Sequence, residues 1–342
     1  MDVSPYIDMD QLTCPQQWTS SSVSDGSCEQ FKTFLPLDTE RGAEHGSIQL
    51  KDNASAHLGD RYNVANTFNI NQTTFSSQTL GPVDKIAAWL TPANHNDYQN
   101  DIFSRVTDGT GKWFLERHEY KQWVLLPGKN LLINGVPGAG KTHLVSIIIN
   151  DLRNALADCN DTLLLFFYNS FQRKHEQSAV SMISCLLRQA FLHSISRAES
   201  IQDLCDRHCK NGQASRPTLS ELVQTLSTVF AGYKRVYLVI DALDECISTD
   251  LDSTSQRNTF LRTLNSLQQN SGDCISITVT RRSSRDMILD SERTTALYVK
   301  AHDDDISKYA LSRLYVSRRQ IFRDPDVQQR VADALMRSSK GM

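Results

Sequence analysis

Residues 135–142 read Gly-Val-Pro-Gly-Ala-Gly-Lys-Thr and satisfy the pattern G-x-x-x-x-G-K-[ST] in full. No other feature limits the fold as strongly, because such a loop works only between a strand and a helix. Both flanks are in place. Asn130-Leu131-Leu132-Ile133-Asn134 is an apolar run of strand length, and Leu144, Ile147, Ile148, Leu152 and Leu156 recur at helical spacing. Gly135, Gly138 and Gly140 permit backbone conformations that a side chain would block, so successive N–H groups can turn toward phosphate oxygens. Val136, Pro137 and Ala139 complete the loop. The helix N-terminus behind it adds a positive end. Lys141 brings a point charge to the β- and γ-phosphates, and Thr142 offers a hydroxyl to Mg²⁺. The expected ligand is a nucleoside triphosphate, ATP or GTP, since the loop reads phosphates and not the base.

Downstream, Val236-Tyr237-Leu238-Val239-Ile240 is a continuous apolar run, as expected of a central parallel strand buried on both faces. It ends in Asp241-Ala242-Leu243-Asp244-Glu245. A carboxylate at the C-terminal tip of such a strand faces the ligand crevice of an open α/β sheet. Asp241 is therefore the candidate Mg²⁺ carboxylate, acting through water, because this ion keeps part of its hydration shell. Ala242 is small and leaves room beside the phosphates. Asp244 or Glu245 is the candidate to orient or deprotonate an attacking water. A further apolar strand, Ile275-Ser276-Ile277-Thr278-Val279-Thr280, ends in Arg281-Arg282. An arginine there can reach the γ-phosphate and report its presence.

At 342 residues the chain has room for one large domain with flanking segments, or for two domains. Its net charge of −3, without a basic block, argues against general nucleic-acid binding. No stretch approaches the ~18 apolar residues of a membrane span, and no leader-like N-terminus is seen. A soluble cytoplasmic protein is expected. The 8 cysteines lack paired spacing, so no disulfide framework is expected. Cys205, His208 and Cys209 lie close together but have no fourth ligand at a familiar spacing, and an ordinary helix is the expectation there.

Residues 1–80 are rich in Ser, Thr, Asn, Gln and Asp, with sparse apolar residues. Such a segment buries too little surface to offset chain entropy and is expected to be largely disordered. Residues 81–128 form a helical strap, with Val83, Ile86, Ala87 and Leu90 on one helix face, followed by an aromatic run carrying Tyr120 and Trp123. Residues 129–300 alternate strand and helix. Thr162 to Tyr168 reads as a second strand and Val180 to Leu192 as a helix. Helical stripes occupy Leu219, Leu222, Val223, Leu226, Val229 and Phe230, then Phe260, Leu261, Leu264 and Leu267. Ala296 to Val299 closes the series as a fifth strand. Asp303, Asp304 and Asp305 then start a helix running through Leu314. The pattern predicts an α/β fold: a doubly wound, mainly parallel five-stranded sheet with flanking helices.

Together, Asp108-Gly109-Thr110-Gly111-Lys112-Trp113-Phe114-Leu115, the loop at 135–142, Tyr237 through Cys246 and Leu297-Tyr298-Val299-Lys300-Ala301 resemble fungal STAND NTPases of the NACHT, or nephrocystin-3-like N-terminal, class. The resemblance covers roughly residues 82 to 342. It implies a P-loop NTPase with the strand order of the additional-strand group, acting as an ATP- or GTP-driven switch in self/non-self recognition and cell death. It also implies that the Gly-Thr-Gly-x-Trp-Phe segment straps onto the NTPase near the base side of the nucleotide. Where family members commonly end the sensor strand Thr-Ser-Arg, this chain has Thr280-Arg281-Arg282, so Arg282 takes the matching place. Family members continue past the position of Gly341-Met342 into a winged helix and repeats, so a truncated product or a fragment is expected, with residues 301–342 the start of a helical lid. Residues 46–60 resemble amyloid-signalling motifs that precede some fungal NACHT domains, beside the plainer reading of an unstructured tether.

These features lead to a slow, Mg²⁺-dependent NTPase switch that self-associates through its NTPase domain. The alternative is a nucleotide-binding oligomerisation module that hydrolyses nothing measurable. Neither reading involves nucleic acid.

Overall fold

The apolar runs between residues 130 and 298 become five parallel strands of one sheet. The computed structural model describes residues 81–210, 213–246, 253–282, 289–316 and 324–339, all within the compact unit Thr79–Met342. The expectations for residues 1–80, including the amyloid-type motif at 46–60, lie outside the described residues.

Four helices precede the sheet: α1 (Pro82–Leu90), α2 (His95–Ser104), α3 (Lys112–Leu115) and α4 (His118–Leu125). Next come β1 (Asn130–Asn134), α5 (Lys141–Ala155) and β2 (Thr162–Tyr168). The insert that follows holds α6 (Ala179–His193), α7 (Glu199–His208), a small antiparallel ribbon of β3 (Cys209–Lys210) and β4 (Gln213–Ala214), and α8 (Leu219–Ala231). The chain then runs through β5 (Arg235–Asp241), α9 (Ser253–Asn270), β6 (Ile275–Arg281), β7 (Thr294–Tyr298), α10 (Asp303–Val316) and α11 (Pro325–Ser339).

The strand order is β2-β5-β6-β1-β7, so β6 is the strand inserted between the phosphate-loop strand and the Asp241 strand. This agrees with the order that the resemblance implies. Alternation along each strand divides the core in two. Leu163, Leu165 and Phe167, Val236, Leu238 and Ile240, and Ile275, Ile277 and Val279 face α6, α8 and α9. Phe166, Tyr168, Tyr237, Val239, Leu131 and Ile133 face α4 and α5. Each fully buried Leu, Ile or Phe contributes roughly 1.5–3 kcal/mol, so both layers hold the sheet against its helices.

The helix starts follow from local chemistry. Thr218 and Glu221 form a reciprocal capping box on α8, and Ser178 caps α6 by accepting from Ser181 N–H. Two departures from the sequence expectations have physical reasons. Strand β7 begins at Thr294 rather than Ala296, because its register pairs Asn130 with Thr294, and the two threonines conceal the strand start in an apolar reading. Helix α2 carries no apolar stripe beyond Tyr98 and Ile102, and buries the polar His95 and Gln99 instead.

Arg235, at the start of β5, closes the C-terminus of α4. Its guanidinium donates to the carbonyls of Trp123, Val124, Leu125 and Leu126 at 2.6–3.2 Å. These are among the carbonyls a helix end leaves without intrahelical partners, and a cation there also meets the negative end of the helix dipole.

Candidate nucleotide-binding site

The loop at 135–142 leaves the end of β1 and enters α5. At Gly135 the backbone passes so close to the chain after β7 that a Cβ would lie 2.6 Å from the carbonyl oxygen of Val299. Only glycine fits there, and the Gly135 N–H is directed to the Arg281 carbonyl at 3.3 Å. Gly140 precedes α5 at φ 81°, the left-handed region that a residue with Cβ adopts only under strain. Lys141 Nζ donates to the carbonyls of Gly135 and Val136 at 2.8 and 2.9 Å. Burial lowers the pKa of this ammonium, while Asp244 and Asp241 oppose the shift. The cation is thus partly desolvated, which strengthens its attraction for a phosphate, while the nearby carboxylates favour its charged form.

Asp241, at the tip of β5, is 1% exposed. Its Oδ2 accepts from the Thr142 hydroxyl at 2.8 Å, and its Oδ1 accepts from the Thr280 hydroxyl at 2.5 Å. Burial raises its pKa, and both hydroxyl hydrogen bonds counter that by stabilising the charged form. Ala242 follows at φ 48° and is the one non-glycine residue with positive φ among those described. This costs roughly 1–2 kcal/mol for an L-residue, and the Ala242 N–H is held by the Thr280 oxygen at 2.8 Å. The kink throws the chain into a short 3-10 turn, Leu243–Glu245, which carries both candidate water-positioning acids. Asn169, just past β2, donates from Nδ2 to the Asp241 carbonyl at 2.7 Å and ties the neighbouring strand tip to the same point.

The two arginines ending β6 diverge. Arg281 Nε donates to Asn134 Oδ1 at 2.7 Å, behind the loop. Arg282 turns the other way: Nη2 donates to Glu245 Oε1 at 2.8 Å, and Nε lies 3.5 Å from Asp244 Oδ2. Its guanidinium also lies over the Phe171 ring, 5.3 Å from the centroid. Arg282, Asp244 and Glu245 therefore sit together, with Lys141 within electrostatic reach of all three.

Beside the loop opens a cavity of about 500 Å³, lined by Gly138, Ala139 and Gly140 on one side. Trp113 of the strap and Ile306 and Tyr309 of α10 line the other. The loop and the cavity are contiguous, since Gly138, Ala139 and Gly140 belong to both.

Sequence reasoning did not single out Thr280, Asn169 or Asn134, because each acts through a strand-to-strand contact that linear spacing cannot reveal. Residues Cys205, His208 and Cys209 lie at the end of α7. The His208 ring nitrogens pair with Ser215 Oγ at 2.8 Å and Glu221 Oε1 at 3.0 Å. Among the described residues, no cluster of three or more His, Cys, Asp or Glu forms a metal cage. Thr142 and Asp241 offer one hydroxyl and one carboxylate, a donor set that suits Mg²⁺, which takes one or two protein oxygens and completes its shell with phosphate and water. Among the described residues, no helix is long and apolar enough to cross a membrane.

Fold and site define a nucleotide-binding module of the P-loop NTPase class. The model of the nephrocystin 3 N-terminal family matches residues 109–282, just over half of the chain, and the chain belongs to that family. The vegetative incompatibility protein HET-E-1 of Podospora anserina is 28% identical over 142 residues, 41% of this chain and 10% of that protein. The chain thus spans about a tenth of the length of this relative. These matches agree with the NACHT-type resemblance drawn from the motifs. Similar solved structures include the Drosophila ORC bound to DNA (10% identity, TM-score 0.41, 68% of this chain and 55% of that one). Others are the Aeropyrum pernix ORC1 protein in complex with DNA (13%, 0.39, 73% and 59%) and domain III of the Thermotoga maritima replication initiation protein DnaA (17%, 0.37, 67% and 79%).

Proposed function

We propose that this chain is a nucleotide-dependent switch which binds a Mg²⁺-nucleoside triphosphate and hydrolyses it slowly. The observation that carries the reading is the 2.8 Å hydrogen bond from Thr142 to the buried Asp241, directly beside the Lys141 ammonium. In this reading the loop N–H groups and Lys141 bind the β- and γ-phosphates. The Thr142 hydroxyl and Asp241, the latter through water, hold Mg²⁺. The ion supplies charge neutralisation on the phosphate oxygens when bound. Asp244 or Glu245 orients the attacking water, and Arg282 leaves its carboxylate partners to meet the γ-phosphate.

The reading takes turnover as slow: among the described residues no arginine is assigned to act from a neighbouring copy, and such a residue is worth roughly 10³–10⁵ in rate. Self-association through the NTPase domain would place two such sites near one another. The name of HET-E-1, a vegetative incompatibility protein, supports a role in fungal recognition or cell-death signalling. One contact favours the second reading, a binding module without hydrolysis. While Arg282 is closed on Glu245 at 2.8 Å, that acid is engaged and does not face a water.

Single-turnover assays with labelled ATP and GTP separate the two. Phosphate release that is lost in Asp244→Asn or Glu245→Gln supports the hydrolysing switch. Saturable binding without release supports the module. Unchanged nucleotide affinity in Lys141→Ala removes both.

A further inference from the structure

Helix α10 and the strap meet across the cavity beside the phosphate loop through one carboxylate. Both oxygens of Asp305 accept from the Gly111 N–H at 3.1 Å, and Oδ2 also accepts from the Trp113 indole N–H at 2.8 Å. Two further contacts flank it. Lys308 Nζ donates to the Gly109 carbonyl at 2.9 Å, and His302 stacks on Trp113 with ring centroids 5.2 Å apart and planes at 16°. Donors and acceptors along this seam lie almost two hundred residues apart in sequence.

The turn that Asp305 grips is wedged against the helix behind the phosphate loop. Gly111 is buried at φ +73°, and a Cβ there would lie 2.4 Å from Ile147 Cδ1 and 3.4 Å from Leu144 Cδ2 of α5. Asp305, Gly111 and α5 thus form a continuous packed line, and Trp113, Gly111 and Asp305 all line the cavity. The carboxylate is one of the contacts that join the strap to α10, beside the space next to Gly138 and Gly140. It does not touch the loop residues that would hold phosphate.

We propose that Asp305 is a positioning residue for the nucleoside half of the ligand: it sets the strap wall against which base and ribose pack, and leaves the phosphate cradle unaffected. This rests on the triphosphate reading of the loop. Asp305 acts through Gly111 and Trp113 and makes no claim on the reacting atoms. Replacing the carboxylate by a carboxamide removes the charge, leaves one acceptor oxygen for the Gly111 and Trp113 N–H groups and turns an NH₂ toward the Gly111 N–H, so the clasp weakens.

The test uses the full chain and three ligands: ATP, GTP and inorganic triphosphate, each titrated by calorimetry in Mg²⁺. In Asp305→Asn the nucleoside triphosphates weaken about tenfold, the loss of one or two hydrogen bonds to a charged acceptor. Inorganic triphosphate changes less than about twofold, because its contacts are confined to the loop. Equal weakening of all three ligands, or no weakening of any, overturns the proposal. Should Asp305→Asn fail to fold, as judged by circular dichroism, Trp113→Phe keeps a ring against His302 while removing one donor. It gives the same split with a smaller amplitude, and its absence overturns the proposal equally. Lys141→Ala in parallel weakens all three ligands. If it weakens none, the triphosphate reading itself fails and the positioning role falls with it, a result distinct from failure of the split alone.

Discussion

The Thr280 hydroxyl donates to Asp241 Oδ1 at 2.5 Å, across the seam between the strand that carries the candidate metal carboxylate and the strand that carries the candidate sensor. The Thr280 hydroxyl oxygen in turn accepts from the Ala242 N–H, so one hydroxyl satisfies the buried acid and pins the strained residue after it. Thr280→Val keeps the shape and removes both bonds. Leaving a buried carboxylate oxygen and a buried N–H unpaired costs roughly 1–3 kcal/mol each. The expected result is a lower midpoint of chemical unfolding together with weaker Mg²⁺-dependent nucleotide binding. Wild-type behaviour in both assays would show that Thr280 supports nothing at this site.

Lys141→Ala removes a partly desolvated cation from among Asp241, Asp244 and Glu245. Nucleotide affinity should fall by roughly 2–5 kcal/mol, measured by equilibrium titration with fluorescent ATP and GTP analogues. Folding stability should not fall with it, because burial works against this charge and its bonds within the loop are local.

Arg282 is 44% exposed on its side chain, so its pairs with Glu245 and Asp244 contribute at most about 1 kcal/mol to folding. Arg282→Ala should leave the unfolding midpoint nearly unchanged while altering phosphate release in a single-turnover assay. A large loss of stability with unaltered release would make it a structural clamp only.

Arg235 should behave in the opposite way. It is the common donor to three α4 carbonyls and to that of Leu126 just past the helix, and Arg235→Met leaves them without that partner. The expected loss is about 2–3 kcal/mol from charged hydrogen bonds, read as a lower denaturant midpoint. Amide exchange should quicken first in residues 118–126. Uniform quickening across the sheet would argue that the residue anchors more than this helix end.

His95 gives the domain a defined acid sensitivity. Burial, reinforced by Arg173 and Arg188, lowers its pKa from 6.5 to about 3. Its Nδ1 accepts from the Tyr168 N–H at 3.1 Å and the ring packs on Phe167, so the folded state holds it neutral. The unfolded chain takes up a proton near pH 6.5 and the folded one does not. Stability is therefore fully present above that pH and declines as pH falls toward about 3, with a limiting slope of roughly 1.4 kcal/mol per pH unit. Unfolding midpoints at pH 7.5 and 5.0 should differ more for the wild type than for His95→Gln. Equal differences would exclude this residue as the cause.

Much of the fold was legible because each element announces itself locally. The loop at 135–142 with its flanks, the run before Asp241 and the stripes that became α8 and α9 follow from periodicity, and periodicity is a property of neighbours in sequence. The start of strand β7 and helix α2 are hidden for the converse reason: Thr294 and Thr295 are polar residues drawn into the sheet by pairing with β1, and His95 and Gln99 are polar residues buried by partners that lie far along the chain.

Taken alone, the sequence determined the loop at 135–142 between a strand and a helix, the strand that ends in Asp241 and the alternation that forces a parallel sheet, since backbone conformation and apolar spacing are local quantities. Only the tertiary structure decided that Arg282 turns to the acids while Arg281 turns to Asn134, that Thr280 braces Asp241, and that Asp305 grips the strap. Those outcomes depend on which strand tips and helix ends are brought within 3 Å or so of one another, and hydrogen bonds of that length are set by the packing of the whole sheet.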